Sequence, residues 1–501
     1  MEITGSVILF ILAVLIVVNF LLLILHVFLQ FFYSLLSPAA NLKIKTNQDS
    51  SLVSIHIAAY NEPPALLKNS LISLSRLDYP NFEVLLLDNN TKDTDIWVPV
   101  KKFCSTLGDK FKFFHIEKLS GFKAGALNYL GTKTDKNSEY TSTIDSDYEI
   151  KPDFIKEALA YFSDPSVAFV QFPQAYMNVG AENFGVFLEY KHFFDTYMKA
   201  ANRFGFVSAT GTLTVFKTEI LSKVGPYDNS SITEDADVGL KIALSNYKGV
   251  FVNKIMGTGL MPYDLESYKK QKSRWADGNI TILRKNLRKI LLSKLKIKQK
   301  IGIIGSFLAW VNFTLLPIAA LIILSLLVYA NVISRNPTVD FIVLLSAFSL
   351  VLFHFIKLMS FIVLYAKKYP FKNIVRAFLV HTGMSWTYAI MLFKPFFDRV
   401  AYFERTNKFI LPKMPSVIKN TLWEICVGTL ALVLGIAFAL RGEYYSFPLF
   451  LIAILCFSVF YVYYETTTTK LKSALLLSEI EQKLKKYENS SASSVVENSS
   501  A

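Results

Sequence analysis

The chain has 501 residues, of which 52% are hydrophobic and only 18% charged, against about 25% charged in an average soluble protein. With 42 Phe, 25 Tyr and a mean hydropathy of +0.36, the composition argues against a wholly water-soluble enzyme and against a disordered or nucleic-acid-binding chain. The net charge of +14 instead suits cytoplasmic loops facing anionic lipid. Cys104, Cys426 and Cys456 are too few and too scattered for a disulfide framework or a zinc site.

Residues 7–29 are almost purely apolar, broken only by Asn19 and His26, and are long enough to cross a hydrocarbon core of about 30 Å. The run exceeds a signal-peptide core and has no basic leader, so residues 1–40 are expected to be an uncleaved anchor. From 41 to 300 nothing is long and apolar enough to span, which leaves some 260 water-soluble residues. Further spans are expected at 303–329, 339–366, 422–441 and 446–464. The segment 367–420 carries Lys367, Lys368, Lys372, Arg376, Lys394 and Arg399, and Arg376, His381 and Lys394 favour an interfacial helix over a sixth span. Positive charge concentrates in the soluble insert, in 367–420 and in the tail from 466. That asymmetry places all three in the cytoplasm of a multi-pass protein of the cell membrane.

Within the insert, Leu52–Ala59 reads as a strand, and Pro64 suits the first turn of a helix carrying periodicity from Leu66 to Leu77. Strand-like runs follow at Phe82–Leu87, Lys112–Ile116 and Tyr140–Ile144, with a helix from Lys123 before the last. This alternation predicts an α/β domain with a mostly parallel sheet over 41–275, inserted between transmembrane α-helices. Ligands in such sheets sit beyond the strand carboxyl ends, where Asp88 and Asp145 fall. No GxGxxG or GxxxxGK[ST] fingerprint is placed to bind a dinucleotide or a P-loop nucleotide.

Asp145-Ser146-Asp147 closes a strand, and if the chain stays extended its two carboxylates face one way, as a hard-oxygen site for Mg²⁺ or Mn²⁺. An ordinary acidic turn is the plainer alternative. Thr233-Glu234-Asp235 opens a helical run, Val238–Leu244; Ser231-x-x-Glu234 reads as a capping box, while Asp235 could equally be a general base. On a helix Gln271, Arg274 and Trp275 share one face, offering an amide, a guanidinium and a flat indole to a sugar, or a Trp anchored at the membrane interface. Residues 281–300 place Leu283, Leu287, Ile290, Leu291 and Leu295 at helical spacing among eight Lys/Arg. That pattern predicts a basic amphipathic helix in the interface plane over 276–300. The spans of 301–366 and 421–465 would then flank the cytoplasmic 367–420 segment. The tail 466–501 would hold a helix, Lys470–Tyr487, and a disordered Ser/Asn-rich end with no large regulatory domain.

The motifs DxD, TED and QxxRW stand in this order, about 90 and 40 residues apart. With them the chain resembles the membrane-embedded family 2 glycosyltransferases that include cellulose, hyaluronan and mannan synthases. Ala59-Tyr60-Asn61-Glu62 is similar to the opening donor-site motif of that group, and Gly121 to Asn128 to its KAGALN segment. Gln171-Phe172-Pro173-Gln174 and Gly211-Thr212 fall where the group has similar short motifs. Phe403-Glu404-Arg405-Thr406-Asn407-Lys408 is like its F-x-R-T-P-K, with Asn407 in place of proline. The likeness covers about residues 50–410.

The resemblance implies a GT-A-like domain and roles residue by residue. Tyr60 would stack on the nucleobase of a UDP-sugar or GDP-mannose, with Glu62 also on the donor side and Asp88 bonded to the nucleoside. Lys123 would meet the diphosphate, Asp145 and Asp147 the nucleotide and its Mg²⁺ or Mn²⁺, and Asp235 would be the base. Glu234, Gln271, Arg274 and Trp275 would line the acceptor. Ala58-Ala59 replaces the usual Pro-Thr, and Asp88-Asn89 the usual Asp-Asp, which puts a second carboxylate contact there in doubt. The implied reaction is inverting and the leading expectation is a processive β-glycan synthase that exports its polymer. A ceramide glucosyltransferase-like enzyme acting on a membrane lipid is the alternative, and a non-enzymatic transporter a remote one. An accessory subunit or homo-oligomer remains open.

Overall fold

The computed structural model describes residues 2–30, 50–332, 337–397 and 417–499. The motif Phe403–Lys408 lies outside the described residues. Nine strands form in the insert: β1 Leu52–Ala59, β2 Phe82–Asn89, β3 Phe111–Ile116, β4 Ser138–Asp145, β5 Glu149–Ile150, β6 Val167–Gln171, β7 Thr214–Lys217, β8 Lys248–Phe251 and β9 Gly257–Thr258. Seven build one sheet in the order β3-β2-β1-β4-β7-β6-β8, and β5 pairs with β9 separately. Pairs β1–β2, β1–β4, β2–β3 and β6–β8 are parallel; only β7 runs against its neighbours β4 and β6. The expected mostly parallel α/β sheet is present. Every residue of β2 is buried, as a strand covered on both faces requires.

Strand order reverses at β1, whose neighbours β2 and β4 lie on opposite sides, the kind of switch point beside which sheets of this type bind ligands at their strand carboxyl ends. Register places Ala58 opposite Asp145 and Ala59 opposite Asp88, so β1, β2 and β4 end at one level. Pro64 occupies the first turn of the helix Pro64–Ser75, as its fixed φ favours.

Among the described residues three helices are long and apolar enough to cross a membrane, Asp340–Tyr365, Leu422–Leu440 and Ser446–Tyr487. They coincide with three of the expected spans. The first expected span lies in the helix Glu2–Gln30. Its two polar interruptions face inward: Asn19 donates to Ser349 Oγ at 2.8 Å, and His26 is buried with its ring 4.0 Å from that of Phe353.

Four expectations are corrected. The span at 303–329 is a bent pair, Ile297–Trp310 and Leu315–Leu327, meeting at 60° across a 3₁₀ stretch. The 374–394 region is neither one interfacial helix nor a sixth span but two helices, Phe371–Thr382 and Ser385–Phe397. At the junction a Cβ on Gly383 would come within 2.5 Å of Val462. The charge that suggested an interface, Arg376, is buried; it donates to Glu465 at 2.7 Å and to the carbonyls of Ala181 and Glu182. The basic segment 276–300 is not a separate element. Its first part continues the helix Leu265–Leu292 that carries the QxxRW motif, and a new helix starts at Ile297.

The tail differs most. One helix, Ser446–Ser499, runs from the apolar bundle through the stretch whose composition predicts disorder. Its residues Ile480 and Leu484 join the core around β1, β2 and the helix Pro64–Ser75. Once docked, a helix extends at one hydrogen bond per residue without a new nucleus.

Candidate active site

A cavity of about 120 Å³ lies at the carboxyl edge of the sheet. It is lined by Lys123 and Asp145, by Glu234 and Asp235, and by Gln271, Arg274 and Trp275. Residues from all three motifs, up to 130 positions apart in sequence, therefore meet in one place.

Lys123 stands in the first turn of the helix Phe122–Lys133, entered through Gly121 at φ +87°. Its ammonium donates to Asp145 Oδ1 at 2.5 Å and to the Gly211 carbonyl at 2.8 Å. Burial disfavours the ammonium, but Asp145, Glu234 and Asp235 outweigh it and hold its pKa above the ordinary lysine value. Gly211 has φ +74°, and a Cβ there would lie 2.7 Å from Asp235 Oδ2 and 3.3 Å from Lys123 Nζ. Only glycine lets this loop sit against both charges. Buried Gln171 ties the loop to β6: it accepts from Thr210 N and Thr214 Oγ1 and donates to the carbonyls of Phe172 and Thr212. The Thr212 hydroxyl in turn accepts from the Asp145 amide at 3.0 Å.

The DxD carboxylates do not converge as an extended chain would make them. Strand β4 ends at Asp145 and a turn follows, closed by Tyr148 N on the Asp145 carbonyl. Asp145 lines the cavity, whereas Asp147 is buried and accepts from Leu260 N at 2.8 Å. Among the described residues no group of three or more His, Cys, Asp or Glu could hold a metal ion. The pair expected to hold a metal is therefore not assembled: Asp145 alone faces the cavity, as one carboxylate of the one or two that Mg²⁺ or Mn²⁺ takes alongside several waters and substrate phosphates.

The expected capping box at Ser231 does not form. The helix Glu234–Leu244 starts from Thr233 without a side-chain cap, and Ser231 Oγ accepts from Thr233 N instead. Three acidic residues in its first turn, Glu234, Asp235 and Asp237, gain from the helix dipole, and the first two line the cavity. Burial raises the pKa of both Glu234 and Asp235, and for Glu234 the Asp235 charge adds to the rise; Lys123 and Arg274 oppose it. A base must be ionised, so kcat is expected to fall as pH drops through a value above the ordinary aspartate pKa of about 3.9. A pH profile of kcat checks this; an acid limb at or below the ordinary value contradicts it.

The residues expected on the donor side, Tyr60 and Glu62 after β1 and Asp88 at the end of β2, lie outside this cavity. Tyr60 is 40% exposed just beyond β1. Asp88 is 1% exposed; it accepts from Thr91 Oγ1 at 2.9 Å and lies 3.0 Å from His115 Nδ1. Thr91 Oγ1 also accepts from Asn61 N, and the His115 ring stacks on Trp97 at 4.1 Å. Any influence of Asp88 on a ligand therefore runs through Thr91 and His115. Tyr60, Glu62, Asp88 and Asp147 do not line the 120 Å³ cavity.

Sequence reasoning missed Tyr148 and Tyr176, which also line the cavity, and Gly278, where a Cβ would come within 2.2 Å of Thr233 Oγ1. A second cavity of about 620 Å³ adjoins the first, sharing Ile232 and Arg274, and is lined by Trp386, Trp423 and Lys269 among others. Lys269 there pairs with Glu424 at 2.5 Å.

Residues 140–393 match glycosyl transferase family group 2, and residues 54–225 match glycosyl transferase family 2. The chain belongs to the group 2 glycosyl transferases. It is similar to a probable glucomannan 4-beta-mannosyltransferase of Arabidopsis thaliana, 26% identical over 52% of this chain and 50% of that one. A UDP-forming cellulose synthase catalytic subunit of Dictyostelium discoideum is 31% identical over 32% of this chain and 16% of its own length. The chain spans about half the length of the first of these relatives. In fold it is similar to the mannosyltransferase PcManGT from Pyrobaculum calidifontis, solved with GDP-Man and Mn²⁺. That likeness has a TM-score of 0.51 at 18% identity and covers 72% of this chain and 99% of that one.

Proposed function

We propose that this protein is an inverting membrane glycosyltransferase that moves a sugar from a nucleoside diphosphate to a growing β-linked glycan. The observation that carries the reading is the cavity in which Lys123, Asp145, Asp235, Gln271, Arg274 and Trp275 meet. Lys123 offsets charge developing on the departing diphosphate, and Asp235 takes the proton of the acceptor hydroxyl as it attacks the anomeric carbon from the opposite face. A divalent cation at Asp145, completed by substrate phosphates and water, would supply further neutralisation of the diphosphate. One displacement inverts the carbon, so an α-linked donor gives a β-linked product.

Trp386 and Trp423 are among the residues lining the adjoining 620 Å³ cavity, aromatic side chains of the type that a chain of sugar rings leaving Arg274 would pack on. This supports a polymer that grows toward the apolar bundle and is exported through it. Similarity to glucomannan mannosyltransferases and a cellulose synthase subunit supports GDP-mannose and UDP-glucose as the first donors to try. The test is purified full-length protein in nanodiscs with Mn²⁺ or Mg²⁺ and a panel of radiolabelled UDP- and GDP-sugars. A high-molecular-weight product from one donor supports the reading; label confined to the lipid phase replaces it with lipid glycosylation. No nucleoside diphosphate release on any donor overturns it.

Trp275 packs edge-on to Tyr190, with centroids 5.8 Å apart, and 6.0 Å from Trp310, which the 3₁₀ stretch brings alongside. Trp275→Ala is expected to shorten the product and raise the acceptor KM about tenfold, from the loss of one ring platform, with donor KM little changed. Product sizing with donor titration checks this, and a pure donor defect contradicts it.

A further inference from the structure

The QxxRW helix carries a cation on its hidden side that the transfer reaction does not use. Lys272 is fully buried, and its ammonium donates to Glu189 Oε2 at 2.7 Å. Glu189, on the helix Phe184–Phe193, also accepts from the Tyr268 hydroxyl at 2.7 Å on the same oxygen, and His381 lies 3.7 Å from its Oε1. The Lys272 ammonium sits 3.9 Å from the ring centroid of Tyr190 and 5.0 Å from that of Trp275. A cation over two ring faces is attracted to both and so fixes their placement. Tyr190 is itself buried, and its hydroxyl donates to the side-chain oxygen of Gln271.

That last bond has a direction. With its oxygen engaged from behind, the Gln271 amide keeps its NH₂ for the cavity that Gln271 lines. A sugar hydroxyl reaching the cavity then meets a donor, not an amide free to present either end.

We infer that Tyr190, clamped by the buried Glu189–Lys272 pair, is a positioning residue for the acceptor: it holds the Gln271 NH₂ toward a glycan hydroxyl and braces the Trp275 ring. This rests on the transferase reading above. Donor binding is not involved, because Lys123, Asp145 and Tyr60 lie on other elements.

The test uses the full chain in nanodiscs with whichever donor supports turnover and an added oligosaccharide of the same sugar as acceptor. Tyr190→Phe keeps the ring and removes only the hydroxyl. It is expected to raise the acceptor KM roughly tenfold, to lower the ratio of sugar transferred to sugar hydrolysed, and to change donor KM less than twofold. Gln271→Glu keeps an oxygen for Tyr190 but has no NH₂, and should reproduce the acceptor defect. In a Gln271→Ala background Tyr190→Phe should add nothing, since both changes remove one interaction. Wild-type acceptor kinetics in Tyr190→Phe, additive effects in the double variant, or an equal rise in donor KM would each overturn the inference while leaving the transferase reading standing. No turnover in the wild type overturns both.

Discussion

Asp235→Asn is expected to reduce sugar transfer by about 10²–10⁴-fold, the usual contribution of a positioned general base. The substitution is close to isosteric, and the amide oxygen can still accept from Ala236 N as the Asp235 carboxylate does at 2.8 Å. Lys123 keeps its bonds to Asp145 and Gly211, so the diphosphate side of the cavity is unaltered. Donor affinity should therefore change little. Glu234 is beside it in the same helical turn, but its carboxyl is buried and biased toward the neutral form. Radiolabel transfer and calorimetric donor binding, measured on one preparation, check both halves. Loss of donor binding would move Asp235 from the proton-transfer step to the diphosphate.

Gly278→Ala is the second large effect, and it runs against helix propensity. In an exposed helix interior, alanine is favoured over glycine by about 0.8–1.0 kcal/mol. Here a Cβ would come 2.2 Å from Thr233 Oγ1, 2.5 Å from its Cγ2 and 2.9 Å from its Cβ. Thr233 immediately precedes Glu234 and Asp235, so relieving the clash displaces the TED motif from the QxxRW helix. A shift of about 1 Å costs on the order of 100-fold in rate. The expected result is a kcat lower by about two orders of magnitude with the thermal midpoint nearly kept. Adding Thr233→Ala removes the two nearest atoms and should restore part of the rate. Wild-type kcat in Gly278→Ala would mean the two helices separate without moving Asp235.

Much of this architecture is legible in the sequence, and the pattern of what is not has a physical basis. β1 is read to its residue limits, because an apolar run bounded by turn residues leaves little choice. β2 and β4 extend past their apolar runs to take in Asp88 and Asp145, whose polar side chains hide their strand conformation. β6, β7 and β8 are short, and the antiparallel β7 is inserted between β4 and β6, an arrangement set by long-range pairing. At the site, charged and aromatic motifs announce themselves by residue type. Gly211 and Gly278 do not, since a glycine acts by the contact it permits and its partner lies far along the chain. Tyr148, in the turn after β4, and Tyr176, at an isolated bridge to Gly259, are likewise ordinary aromatics until the cavity is assembled around them. Arg376 illustrates the reverse case: a charge that suggests water is instead sealed against Glu465.

The helix Ser446–Ser499 ties these halves together mechanically. Its apolar part packs in the bundle through Leu449, Ile452 and Cys456, and its far part places Ile480 and Leu484 beneath the sheet. At 1.5 Å per residue the 31 steps from Ala453 to Leu484 make a rod of roughly 45 Å within one continuous helix. Swivelling the catalytic unit against the bundle would bend that rod or pull its end from the core. Movement of the sheet relative to the apolar helices is therefore opposed by the rod itself, whose two ends are each held in a packed core.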